Sequence, residues 1–326
     1  MHPPAPSLGR RRICGLGAAL AAGVAPALAQ ADLTRLVVAF PPGGPVDFVA
    51  RAIGDELGRQ LGHQVIVENR AGANGAIAAE YVSRAAPDGR TLWLTSVGAV
   101  AINPALYEKL PYDPQSDLAP VSLVVRNVEV LVVSANAPFA DGAAFVAAAR
   151  AAGQPLTMAS SGTGSVPHLA MELLADAAKV KLLHVPYKGA APAIADVIAG
   201  RVDGFFGDIP GLIGFIRSGR LKPIALAAER RHPLLPQVKT YEEMGVPGVD
   251  SDNWYAVFAS RNTPQAVVGH VNRALRATLE HAGVKARLMA SGAEAAPSTP
   301  GELAELLRKD SAKWSAVIRS RKIKAD

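Results

Sequence analysis

The chain has 326 residues, with 34 Lys and Arg against 28 Asp and Glu, 49% hydrophobic residues, 5% aromatic residues and a single cysteine. That apolar share excludes wholesale disorder, and the length points to two domains. One cysteine excludes a disulfide framework and a cysteine-rich metal site, and the absence of any short period excludes collagen, coiled-coil and solenoid architectures.

The first element is a targeting segment. Arg10, Arg11 and Arg12 precede an apolar, small-residue run from Ile13 that closes on Ala27-Leu28-Ala29. Charged region, apolar region and A-x-A site together read as a cleaved secretory signal peptide over residues 1–29. The run is too short and too rich in Ala and Gly for a membrane span. The arginines leave both the general and the twin-arginine export routes open. Cleavage after Ala29 removes three Arg, the cysteine and no acid, lowering the formal charge from +6 to +3. An exported protein is expected. The mild charge, without a basic stripe or interleaved aromatics, argues against nucleic acid. The basic C-terminal residues from Arg308 to Lys324 read as a solvated helix face.

From there strands and helices alternate. The run Leu36–Phe40 stops at Pro41-Pro42-Gly43-Gly44 and reads as a buried strand. Val46, Val49, Ile53, Leu57 and Leu61 then follow helical spacing, with Pro45 suited to the first turn because it has no N–H to lose there. The spacing predicts strands at 65–67 and 91–94 with a helix near 75–86 between them. A second series begins at 128–133. It runs through a helix from about 141, a strand at 156–159, a helix at 166–178, a strand at 182–185 and a helix at 190–199. A strand at 202–206, a helix opened by Pro210 and a strand at 224–228 follow. The strand at 255–259 and helices near 264–282 and 300–320 complete the chain. Such alternation predicts an α/β fold with mostly parallel sheets flanked by helices.

Four glycine-bearing loops, at 41–46, 161–166, 186–190 and 207–210, follow strands and open helices. In open parallel sheets ligands bind beyond the carboxyl ends of strands. The unpaired N–H groups of a helix start, backed by the dipole, favour an anion. An anion-binding cleft is the expectation, with no reaction attached. Gly162-Thr163-Gly164-Ser165-Val166-Pro167 lacks the third glycine of a dinucleotide fingerprint. The chain has neither a P-loop nor a G-x-S-x-G elbow, and its seven His have no metal-site spacing. No cofactor and no metal are expected. Ser161 or Ser165 with His168 is open to a nucleophile–base reading, and equally to a cap with a first-turn polar residue. Asp47 either complements the helix dipole or serves the glycine loop beside it. Asp208 either caps the helix opened by Pro210 or faces a ligand.

At this point an ordered set of motifs resembles the substrate-binding receptors of tripartite tricarboxylate transporters, the Bug family. The set begins with Val38-Ala39-Phe40-Pro41-Pro42-Gly43-Gly44 with Asp47, then Val67-Glu68-Asn69-Arg70-Ala71-Gly72-Ala73 and Ala86-Pro87-Asp88-Gly89. It continues through Ile102-Asn103-Pro104-Ala105-Leu106-Tyr107, Leu110-Pro111-Tyr112-Asp113-Pro114 and Ser160-Ser161-Gly162 with His168-Leu169. It ends at His184-Val185-Pro186-Tyr187-Lys188-Gly189. The resemblance spans essentially the whole mature chain. It implies a two-lobed periplasmic binding protein of type II, with lobe one at 30–130 plus 256–326 and lobe two at 131–255. It implies a monomeric, non-enzymatic receptor that closes on a small carboxylate or amino-acid-like solute and delivers it to membrane permease subunits. A periplasmic sensor feeding a signalling partner, or a hydrolase, is the alternative.

In this family the first glycine loop holds a carboxylate through backbone groups and water. Carried over by position, the ligand-binding residues are Phe40, Pro41, Pro42, Gly43, Gly44, Pro45, Val46, Asp47, Ser96 and Gly98 from lobe one. Ser161, Gly162, Thr163, Gly164, Ser165, His168, Tyr187, Lys188, Gly189 and Asp208 face them from lobe two. Pro45 departs from the family's small or hydroxylated residue and removes an N–H. Phe206-Gly207-Asp208 departs from Phe-Asp-Asn, and an acid turned into the cleft would favour a ligand carrying an amino group.

Overall fold

The computed structural model describes residues 1–2 and 33–324, so the signal peptide read over residues 1–29 lies almost wholly outside the described residues. From Leu33 the elements run β1 (Leu33–Val38), α1 (Pro45–Leu61), β2 (Gln64–Asn69), α2 (Ala76–Ser83), β3 (Thr91–Ser96), α3 (Asn103–Leu106) and β4 (Leu118–Asn127). Next come β5 (Glu129–Ser134), α4 (Gly142–Ala151), β6 (Leu156–Ser160), α5 (Val166–Ala178), β7 (Leu182–Pro186), α6 (Ala190–Ile198), β8 (Gly204–Asp208), α7 (Ile209–Arg217) and β9 (Leu221–Ala227). The chain ends with β10 (Asn253–Ser260), α8 (Gln265–Glu280), α9 (Ala282–Ser291), β11 (Glu294–Ala295) and α10 (Pro300–Arg321).

Two sheets result, one of six strands in the order β11-β4-β10-β3-β1-β2 and one of five in the order β7-β6-β8-β5-β9. Strand alternation sends successive side chains to opposite faces, and in both sheets both faces are apolar. Leu36, Val38, Leu92 and Leu94 pack with Val49, Ile53 and Leu57 of α1 and Leu275 of α8. Val37 and Trp93, one residue out of phase, pack on the other face with Ala79 and Val82 of α2 and Leu307 and Trp314 of α10. In the second sheet Leu131, Val133 and Phe206 meet Phe145 of α4 and Leu174 of α5. Val130, Val132 and Phe205 meet Val197 of α6 and Leu212 of α7. Helices on both faces of each sheet are what a doubly apolar strand requires.

The α/β class read from the sequence holds, with one refinement. The βαβ units are parallel, as in β2-β1-β3 and β7-β6-β8. Strands β4, β5, β9 and β10 pair antiparallel, so each sheet is mixed. These are the strands next to the passages between sheets: β4 gives way to β5 after the single residue Val128, and the chain returns between β9 and β10. Four elements escape local reading: α3, β4, α9 and β11. Pro120 interrupts the pattern of β4, where the ladder to β10 has register shifts on both sides of Ala256-Val257. The helix expected at 264–282 ends at Glu280 because His281 is extended (φ −61°, ψ 126°), and α9 starts anew beyond it.

Candidate ligand-binding cleft

The loop after β1 is built by Asp47. This side chain is 3% exposed and turns back on the loop. Its Oδ2 accepts from the Gly43 N–H at 2.9 Å and from Arg51 Nε at 2.9 Å, while Oδ1 accepts from Arg51 at 3.0 Å and Asn69 Nδ2 at 2.9 Å. Asn69 also donates to the Phe40 carbonyl at 3.0 Å, tying the end of β2 to the end of β1. Burial pushes the Asp47 carboxyl up, but the bonds from Arg51, Gly43 and Asn69 outweigh it and hold the group below 3.8. Asp47 therefore orients the glycine loop. Pro41, Pro42 and Pro45 carry no N–H and that of Gly43 is committed, so Gly44, Val46 and Asp47 supply the donors that remain from this loop and first helical turn.

Asp47→Ala is expected to lower stability by about 1–3 kcal/mol, the cost of leaving buried donors unmatched, and Asp47→Asn by less because one acceptor survives. Denaturant melts check both. The wild-type contribution is present above the ordinary carboxylate range and is lost as pH falls through it, since the folded-state value is the lower one.

Ser96 ends β3 and is 7% exposed. Buried Gly98 opens a π-helical turn, Gly98–Ile102, against the Asn74–Asn103 side-chain pair. Such turns recur at functional sites.

In the second lobe the loop after β6 is organised by two imidazoles. His168 and His184 stack with centroids 3.6 Å apart and planes 4° from parallel. His168 Nδ1 accepts from the Gly164 N–H at 3.0 Å, so the neutral ring carries its proton on Nε2, which faces Glu172 at 3.8 Å. His184 Nε2 pairs with Ser160 Oγ at 2.6 Å, and Ser160 Oγ accepts from Gly162 N–H at 3.1 Å. Ser165 N–H donates to Gly162 O, and Gly189 N–H to Ser161 O. Ser165 occupies the N-cap position of α5, yet its side chain makes no capping bond and its hydroxyl has no hydrogen-bond partner among the described residues. The ring nitrogen that a serine nucleophile needs as base is thus engaged by backbone. Tyr187 gives its hydroxyl to Asp196 at 2.7 Å, and Lys188 is exposed.

Asp208 does not cap α7 through its side chain, the first of the two roles open to it in the sequence. It stands at the N-cap of α7 without a side-chain capping bond, and its carboxylate is held by Asn253 Nδ2, at 2.9 and 3.1 Å, and by the Tyr255 hydroxyl. Arg51, Asn69, Ser160, His184, Asn253 and Tyr255 were not legible as site-building residues: Arg51 acts through Asp47 one turn earlier on α1, and the others act through partners on other elements.

Two contacts close the space between the glycine loops. Pro45, the first residue of α1, lies against Gly211 in the first turn of α7, where an added Cβ would stand 3.1 Å from Pro45 Cγ. Leu106 lies against Gly164, leaving no room for a Cβ there, and Val166 and Leu169 of α5 join the core around Ile102 and Leu106. Arg321 of α10 reaches Glu172 at 3.6 Å and Asp176 at 3.1 Å on α5. A groove of about 330 Å³ lies elsewhere, lined by Asp141, Lys222 and Lys239 among others, and includes none of the loop residues above. Among the described residues no cluster of three or more His, Asp or Glu could hold a metal, and no helix is long and apolar enough to cross a membrane.

The family described as "Tripartite tricarboxylate transporter family receptor" matches residues 49–323. The chain belongs to this family. The resemblance carried by the ordered motifs therefore holds, and the tripartite tricarboxylate receptors are solute-binding proteins. BugT of Bordetella pertussis is 32% identical over 93% of this chain and 93% of its own length. Among solved structures, a Rhodopseudomonas palustris protein with adipate has a TM-score of 0.85 at 32% identity, covering 90% of this chain and 98% of that one. MatC from Rhodopseudomonas palustris, with bound malate, has a TM-score of 0.80 at 34% identity, covering 88% and 99%.

Proposed function

We propose that this chain is an exported, periplasmic solute receptor that captures a small dicarboxylate between its two lobes and delivers it to the permease of a tripartite tricarboxylate transporter. The observation that carries this reading is the meeting of α1 and α7. Their first turns come from different lobes and abut at Pro45 and Gly211. Two helix starts brought together concentrate unpaired N–H groups and positive dipole ends at one place, and an anion relieves both.

The proposed lobe-one wall is Phe40–Asp47 with Ser96 and Gly98, acting through the Gly44, Val46 and Asp47 N–H groups. The proposed lobe-two wall is Ser161–Ser165, Tyr187–Gly189 and the start of α7, with His168 and Asp208 holding their loops in shape. Relatives with bound malate and adipate support a dicarboxylate. Ligand that binds the closed arrangement better than the open one shifts the population toward closure.

A thermal-shift screen of the chain from Gln30 against mono-, di- and tricarboxylates and amino acids tests the reading. A ligand at about 100 times its dissociation constant adds about 2.7 kcal/mol of apparent stability, a shift of several degrees at this size. A dicarboxylate among the strongest hits is the expected result. Silence across every carboxylate, with the protein verified ligand-free by mass spectrometry, contradicts it.

A further inference from the structure

The joint between the two sheets contains a pair of buried acids with no cation beside it among the described residues. Glu129 opens β5 immediately after the single crossing residue Val128, and it stands opposite Asp208, the last residue of β8, in the antiparallel register. Glu129 is 1% exposed and Asp208 9%. Asp208 receives Asn253 Nδ2 on both oxygens and the Tyr255 hydroxyl on one. Among the described residues neither carboxyl oxygen of Glu129 meets a donor at full hydrogen-bond geometry; the Asn253 amide near it is held by Asp208.

The other strands supply no compensating charge. From β10 the pair meets Asn253 and Tyr255, and from β4 the cross-strand partner of Asn253 is Asn127, a wholly buried amide. From β9 the partner of Glu129 is Ala227, and α7 begins with Ile209, whose N–H donates to the Val128 carbonyl at 3.2 Å. The neighbouring ionisable groups, Arg126 and Asp252, are bonded to each other, and burial pushes the Asp252 carboxyl up to about 6.

Two carboxylates in contact away from water do not both ionise. Asp208 has the donors and keeps the charge. Glu129 has only the Asn253 amide near it, which is committed to Asp208, and a protonated Glu129 becomes a donor to Asp208. Burial, then the charge of Asp208, push the Glu129 carboxyl well above its ordinary range, and burial raises that of Asp208 against the bonds it accepts.

We propose that Glu129 is protonated in the folded chain at neutral pH and donates to Asp208, making the joint between the lobes a proton-dependent fastening. The folded chain then retains a proton that the unfolded chain releases above the ordinary carboxylate range. Stability accordingly falls as pH rises from that range, until Glu129 ionises in the folded state as well. Ionised, the pair sets two negative charges across β5 and β8, and the joint loosens.

The test compares ligand-free wild type with Glu129→Gln, whose amide donates to Asp208 but does not titrate. At neutral pH the infrared spectrum of the wild type is expected to show a protonated carboxylic-acid carbonyl stretch that the variant lacks. Between about pH 5 and about pH 9 the melting temperature of the wild type should fall progressively relative to the variant, with the Asp252 contribution cancelling because both proteins carry it. Amide exchange at Ile209 should be faster in the wild type at the alkaline end and equal at the acid end. Should the variant fail to fold, Asp252→Asn replaces the wild type in the infrared measurement, and an acid band that it keeps at neutral pH and loses on raising the pH decides in the same sense. Absence of the band, with parallel melting curves, overturns the proposal. So does an absent band with a melting temperature that rises on adding sodium, which would put a cation where the proton is assigned.

Discussion

Gly164→Ala is expected to lower stability by about 2–4 kcal/mol, the combined cost of a left-handed backbone under a side chain and of overpacking a filled contact. Gly164 has φ +74°, and its missing side chain is the space in which Leu106 of the first lobe lies. Both causes act at one residue, but only one depends on the partner. In Leu106→Ala the overlap disappears while the backbone strain stays, so the double variant should lose less than the sum of the two single losses. Strictly additive losses in denaturant melts would show that Leu106 and Gly164 do not share this contact. Because the contact joins the lobes on the α5 side, the alanine variant should also weaken ligand capture beyond what its lower stability explains.

Gly211→Leu is the opposite kind of variant, with its effect on binding and little on the fold. Gly211 sits in α7 with an ordinary helical backbone, and leucine is the better helix former by about 0.5–0.8 kcal/mol. The added atoms must occupy the gap to Pro45, and the two helix starts are held apart. Melting temperature is expected to stay level or rise while affinity for the best carboxylate of the screen falls more than about tenfold, or about 1.4 kcal/mol. Unchanged affinity would mean that α1 and α7 do not approach each other in the ligand-bound form.

Much of this was legible in the residues because it is local. Val37 and Trp93 point to one face of the first sheet and Leu36, Leu92 and Leu94 to the other, so continuous apolar runs signal strands covered twice. Helix α1 is announced by Pro45 and by the spacing of Val46, Val49, Ile53 and Leu57. Three of the four expected glycine loops follow strand ends; the fourth, at 207–210, is no loop, because Gly207 and Asp208 belong to β8 and α7 starts at Ile209. What local pattern does not carry is register. Strand β4 is disguised by Pro120, and nothing near Glu129 indicates that it lies opposite Asp208.

The same limit governs the site. Asp47 stood out beside its loop, yet its orienting role depends on Arg51 one turn on and on Asn69 at the end of another strand. Asp208 stood out as an acid after an apolar strand, and the donors that hold it, Asn253 and Tyr255, lie on a strand of the other sheet. His168 invited a catalytic reading by its spacing from Ser165. Its ring instead accepts the Gly164 N–H, a bond that only the folded loop reveals.

The most direct test of the receptor reading is a calorimetric titration of the ligand-stripped chain with malate and with adipate, beside Gly211→Leu as the closure-deficient comparison. Saturable binding of at least one dicarboxylate at one site per chain, weakened in the variant, is the predicted result. No binding of either, or binding that the variant leaves unchanged, contradicts capture of a dicarboxylate between these lobes.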